Sequence, residues 1–259
     1  MREKNNSILK PNKLAAIAIY VIILFVVSGF ITMGIGAVIG YINDLDINKL
    51  MLSYTATDFI GYEPEYIKAN AISQGWGNFI GYFLSFVAVV FFMRDDLIND
   101  FNVFKEKKKY YLLYSLIALI AFMLITLVVE AIIANFVEDS ANQAVIEAIL
   151  NNGGAIPMVL ATVILAPVVE ELIYRKAIFY YGNKYSVACS YIVSILLFTL
   201  PHMLSSDMSN MAMWLLQCVP YALSGGLLCI IYHKSNYNIY TVILVHMTNN
   251  LIACVLAFI

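Results

Sequence analysis

Charge is what this sequence has least of: 12% of its 259 residues are Asp, Glu, Lys or Arg, against 62% that are hydrophobic. Soluble domains carry about 25% charged and roughly 45–50% apolar residues, so a water-soluble class is excluded and the net charge of −2 says nothing about partners. Cysteine is scarce too. Cys189, Cys218, Cys229 and Cys254 all lie in apolar stretches without C-x-x-C spacing, which excludes a disulfide framework and a thiolate zinc site and leaves them as small core residues. There is no H-E-x-x-H, because His202 is followed by Met203 and Leu204, His233 by Lys234 and His246 by Met247. There is also no G-x-S-x-G, no Walker or Rossmann glycine loop after a strand, no internal repeat and no low-complexity segment. Nothing points to a nucleotide or a nucleic acid as ligand.

What is present is a succession of long apolar runs. About 20 such residues cross the ~30 Å hydrocarbon core as a helix, and candidate spans lie near 14–42, 72–93, 110–137, 155–181, 186–203, 211–232 and 238–259. The expected fold is all-α: a polytopic transmembrane helix bundle of about seven spans, six to eight, because lipid tolerates only helices and closed barrels and no ten-residue alternation is seen. The first run is too long for a signal-peptide core and has no small-residue cleavage pattern, so it is expected to remain as a span.

Lys and Arg set the expected orientation. Arg2, Lys4, Lys10 and Lys13 precede the first span, Arg94, Lys105 and Lys107 to Lys109 fill the 94–109 connection, and Lys184 and Lys234 mark later ones. These connections and the N-terminus are assigned to the cytosol. The opposite set is poorer in basic residues, with Lys49 and Lys68 among Asp44, Asp46, Asp58, Glu63 and Glu65, and none in 138–154 or 204–210. The outer segment 43–75 is expected to be a plain interhelical loop. Gly36-x-x-x-Gly40, Gly77-x-x-x-Gly81 and Ser224-Gly225-Gly226 predict close helix packing.

Ionisable residues inside spans cost about 2.5–3.5 kcal/mol on insertion scales and are functional candidates by default. The fourth span holds Glu170, Glu171 and Arg175, the fifth His202 and the seventh His246; His233 falls at a span edge, where a surface role suffices. Three pairs at i, i+4 share a helix face: Glu171 with Arg175, Phe198 with His202, and His246 with Asn250. Glu171 and Arg175 can neutralise each other as a structural ion pair. Glu170 has no such neighbour and needs a partner from another helix, for which the histidines are the natural candidates. Counting 1.5 Å per residue from the nearest turn puts Glu170 roughly 18 Å, His202 roughly 26 Å and His246 roughly 13 Å from one face, depths that permit a common site.

Two chemistries fit these groups. A carboxylate with a histidine can activate water for peptide hydrolysis, while a second histidine and an asparagine amide stabilise the oxyanion. Alternatively, Glu170, His202 and His246 can form a zinc site assembled from three helices.

Glu170-Glu171-x-x-x-Arg175, Phe198-x-x-x-His202 and His246-x-x-x-Asn250, in this order over the last 90 or so residues, resemble the three motifs of the CPBP family, the CAAX proteases and bacteriocin-processing enzymes, also called the Abi family. The resemblance implies Glu170 and His202 as the water-activating pair, His246 and Asn250 as the oxyanion donors, and Glu171, Arg175 and Phe198 as support. It implies a glutamate-dependent reaction without a cofactor, with zinc as the alternative. It divides the chain into a cytosolic tail (1–13), an N-terminal three-span region (14–137) without a recognisable motif, and a CPBP-type catalytic helix bundle (138–259).

The expected function is therefore an intramembrane endopeptidase of the bacterial plasma membrane. Its expected partners are membrane lipids and a lipidated or membrane-associated peptide, such as a bacteriocin precursor. Two alternatives stand beside it: a non-catalytic immunity or scaffold protein of the same fold, and a transporter using the buried Glu, Arg and His as a path. Against the transporter, there are no inverted repeats or paired broken helices.

Overall fold

The computed structural model describes residues 11–54, 61–137, 141–204 and 206–258. Arg2, Lys4 and Lys10 of the basic tail, Asp58 of the first outer segment and residues 138–140 lie outside the described residues. The described chain is a bundle of α-helices: α1 Asn12–Ile42, α2 Ile47–Ser53, α3 Pro64–Glu106, α4 Lys108–Ile133, α5 Ala141–Asn151, α6 Ala155–Gly182, α7 Val187–His202, α8 Met211–Lys234 and α9 Ile239–Leu256. Six of them are long and apolar enough to cross a membrane. α7 is the seventh and short one; its 16 residues extend about 24 Å.

Two expectations are corrected. The 94–109 connection is not a separate segment, because α3 runs on through it and breaks only at Lys107. Its 43 residues extend about 64 Å, twice the hydrocarbon thickness, so the helix projects beyond the apolar core. Segment 43–75 is not a plain loop either. It contains α2, started by Asp46, whose carboxylate accepts from the backbone N–H groups of Asn48 and Lys49. It also contains the start of α3, with Pro64 in the first turn where its missing N–H costs nothing. Leu50, Tyr66 and Ala69 bury together there against Ile39, Leu45 and Tyr62. At this end Lys49 and Glu63 form an exposed ion pair at 2.5 Å, and the hydrogen bond between them raises the Lys49 pKa and lowers that of Glu63.

The glycine motifs act as predicted, by removing side chains where helices meet. A Cβ on Gly77 would lie 1.8 Å from Thr32 Oγ1, and one on Gly81 would lie 2.6 Å from the Ser28 Cβ, so this pair sets the approach of α1 to α3. Gly36 and Gly40 do the same for Tyr54 and Ile47.

One end of the bundle is closed by two carboxylates on α3. Asp96 pairs with Lys13 of α1 at 2.5 Å. Asp100 pairs with Lys176 of α6 at 2.5 Å and accepts from the backbone N–H of Ile239 at 3.0 Å, while the Asn238 side chain donates to its carbonyl. Within the bundle α6 is central: 67% of its most apolar stretch is buried, against 11% for α1 and α4. Val169, Leu172, Ile173 and Ala177 of α6 pack with Val89 and Met93 of α3, Leu228 and Ile231 of α8, and Val242 and Val245 of α9. The most buried of the six long helices is the one that carries the carboxylates.

Candidate active site

α6 is not a regular helix where its polar residues sit. Pro167 removes one backbone donor and crowds the preceding turn. On either side the helix widens to π geometry, over Leu160–Leu165 and Glu171–Ile178. Wide turns of this kind accommodate a proline inside a membrane and recur at functional sites.

The adjacent carboxylates are held by different helices. Glu170, 5% exposed, accepts a hydrogen bond on Oε1 from the Tyr82 hydroxyl of α3 at 2.8 Å. Glu171 is fully buried, and its Oε1 is shared by Arg175 Nη1 at 3.1 Å and His246 Nδ1 at 2.8 Å. Arg175, also fully buried, donates through Nη2 to the carbonyl of Gly225 on α8 at 3.1 Å and lies with its Cζ 4.4 Å from the Phe198 ring centre. Cation, carboxylate and aromatic face thus offset each other in the buried interior of the bundle. Two polar atoms in this cluster, Glu171 Oε2 and Arg175 Nε, have no hydrogen-bond partner among the described residues. Such atoms are uncommon in folded proteins and concentrate where a site does chemistry.

Phe198 is the hub of the rings. Its centroid lies 5.2 Å from that of His202, one turn away on α7, and 6.1 Å from that of His246 on α9. His202 stacks on Tyr221 of α8 at 4.8 Å with the planes 6° apart, and the Tyr221 hydroxyl accepts from Asn142 of α5 at 3.3 Å. His202 lies within electrostatic reach of Glu170, His246 and Arg175. Asn250, one turn beyond His246, donates through Nδ2 to the carbonyl of Thr162 on α6 at 2.9 Å, which spends one of its two amide protons.

All seven residues singled out in the sequence therefore gather around α6. The pairing differs from expectation in one respect: the partner of Glu170 is a tyrosine from the three-span region, and among the described residues no hydrogen bond joins Glu170 to either histidine. The histidine bonded to a carboxylate is His246, and the carboxylate is Glu171. Because an ionised carboxylate only accepts, this contact puts a proton on His246 Nδ1. The opposite nitrogen is then a base in the neutral ring and a donor in the imidazolium.

Among the described residues no group of three His, Cys, Asp or Glu side chains is disposed to hold a metal. Of the three zinc candidates, Glu170 is engaged by Tyr82, His246 by Glu171, and His202 is stacked on Tyr221.

Sequence reasoning missed Tyr82, Tyr221 and Thr162. A signal for the first exists in hindsight: Asn70, Gln74, Asn78 and Tyr82 recur every four residues through an otherwise apolar span.

In comparison with known proteins, residues 152–252 match the family described as type II CAAX prenyl endopeptidase Rce1-like. No curated protein and no solved structure matches the chain.

Proposed function

We propose that Glu170 and His202 activate a water for hydrolysis of a peptide bond in a lipidated or otherwise membrane-held substrate, a reading supported by the match of residues 152–252 to the Rce1-like family. The water oxygen bonds to the carbonyl carbon while one of its protons passes to Glu170. The oxyanion accepts from the imidazolium form of His246 and from the free amide proton of Asn250. Glu170 then returns its proton to the amine nitrogen as the C–N bond breaks.

The observation that carries this reading is the division of labour between the two adjacent carboxylates. Glu171 is committed to Arg175 and His246 and is sealed from solvent. Among the described residues Glu170 is hydrogen-bonded only to a neutral hydroxyl, whereas its neighbour is paired with a cation. Tyr82 orients Glu170, and Glu171 orients His246. The Lys and Arg distribution supports a cytosolic N-terminus and an extracytoplasmic C-terminal end of α9.

The test is cleavage of a fluorogenic lipidated peptide library by the purified protein in nanodiscs, comparing wild type with Glu170→Gln and His202→Ala. Cleavage by the wild type and loss in both variants is expected. Undiminished cleavage by Glu170→Gln would overturn the assignment. A wild type that is inactive, while both variants still support the protein's role in cells, would favour a non-catalytic membrane partner.

A further inference from the structure

Two hydroxyl groups buried beside the site take no part in the chemistry above. Tyr20 of α1 and Tyr174 of α6, 3% and 4% exposed, meet hydroxyl to hydroxyl at 3.0 Å, and that is the one hydrogen bond described for either side chain. Both lie within electrostatic reach of Glu170. Each stands at a wide turn: α1 takes π geometry over Ile23–Val27, just beyond Tyr20, and Tyr174 lies within the Glu171–Ile178 turn of α6. The turn in α1 has no proline to produce it, and turns of this kind recur at functional sites.

A hydroxyl pair adds little to the stability of a buried contact, since two rings of the same shape without the oxygens pack about as well. What it adds is direction. The Tyr174 ring stands edge-on to Tyr20, at 6.0 Å and 90°, and edge-on to Phe198, at 5.5 Å and 86°. Phe198 is confined from the other side too, because a Cβ on Gly225 of α8 would lie 3.0 Å from its Cδ1. Ser194, one turn before Phe198 on α7, donates to the Tyr174 carbonyl at 3.0 Å. Tyr174 is thus the point at which α1 and α7 are both fastened to α6.

We propose that Tyr20 is a positioning residue for the hydrolysis, acting through Tyr174 to hold Phe198 as the spacer between the His202 and His246 rings, whose centroids lie 5.2 and 6.1 Å from its own. The inference rests on the hydrolytic reading above. In that reading His202 belongs to the water-activating half of the site and His246 to the oxyanion half, so their separation has to match one tetrahedral intermediate. A misplacement of about 1 Å costs up to about 100-fold in rate. Tyr20 touches neither the substrate nor the reacting atoms, so its hydroxyl is felt in kcat and not in KM.

The test is Tyr20→Phe in nanodiscs. The chain has three histidines, so selective carbon-13 labelling gives one ring resonance for each. The His202 and His246 resonances are expected to shift, because the ring current of Phe198 acts on both, while His233, which stacks on Tyr237 and bonds to Tyr191, keeps its position. In cleavage assays kcat is expected to fall about tenfold with KM unchanged. Unmoved His202 and His246 resonances, an unchanged kcat, or a raised KM at unchanged kcat each overturn the proposal. Should Tyr20→Phe melt lower because the Tyr174 hydroxyl is left unpaired, Tyr20→Phe combined with Tyr174→Phe removes both oxygens. Wild-type melting with kcat still depressed is expected of the pair, and recovery of wild-type kcat would make the contact structural only and overturn the proposal. If the wild type cleaves nothing, the hydrolytic reading fails, and the histidine resonances alone then decide whether Tyr20 sets the two rings.

Discussion

Oε1 of Glu171 lies 2.8 Å from His246 Nδ1 and 3.1 Å from Arg175 Nη1, so a single oxygen ties α9 to α6 and neutralises the buried arginine. Glu170, one residue earlier, shares none of these partners. The neighbouring carboxylates should therefore fail in different ways when altered.

Glu171→Gln leaves Arg175 buried without a counter-charge, and breaking such a pair costs about 3–5 kcal/mol. A clearly lower melting temperature in detergent is expected. Glu170→Gln keeps an oxygen for Tyr82 to bond and should melt like wild type, while cleavage falls by about 10²- to 10⁴-fold, the usual contribution of a general base. Equal melting temperatures for the two variants would contradict the assignment of the ion pair to Glu171.

Tyr82→Phe removes the one hydrogen bond described for Glu170 without altering volume. A lost bond to a charged group is worth about 1.5–3 kcal/mol, so kcat is expected to fall by roughly 10- to 100-fold while KM stays close to wild type. Steady-state kinetics on a single cleaved peptide reads both numbers. An unchanged kcat would detach α3 from the chemistry.

Legibility from sequence followed the range of the interaction. Glu171 with Arg175 and Phe198 with His202 lie within single helices, where 3.6-residue periodicity alone brings the partners together, and both contacts are present. The spans were legible because twenty apolar residues have few other uses. Tyr82 with Glu170 and His246 with Glu171 are separated by 88 and 75 residues, and helix rotation and tilt decide such contacts. The extension of α3 to Glu106 was hidden for another reason: Arg94 to Glu106 is polar enough to read as a connection, although Asp96 and Asp100 use that helix to fasten three others.

Chelation separates the glutamate reading from the zinc one. With Glu170, His202 and His246 each engaged elsewhere, cleavage by purified protein is expected to be the same before and after prolonged treatment with a zinc chelator. Activity that disappears on chelation and returns with added zinc would show that the three side chains rearrange around a metal.

Gly77→Ala tests the packing of the first two long helices. The new Cβ would meet Thr32 within 1.8 Å, and overpacking of this kind costs about 1–3 kcal/mol. A lower melting temperature is expected, with partial recovery in Gly77→Ala combined with Thr32→Gly. The same variant at Gly29, where an added Cβ meets nothing within 4 Å, should be close to neutral. Equal effects at Gly77 and Gly29 would mean that the contact is not made in the membrane.

The recognisable stretch ends at residue 252 and begins at 152, yet the hydroxyl that holds Glu170 comes from residue 82. The stretch that matches the family is thus smaller than the unit that holds the proposed site together. A fragment cut at the boundary of the recognisable stretch would retain every signature residue and lack the hand that steadies one of them. Transplanting this chemistry into another scaffold would have to bring along a helix that bears no signature at all.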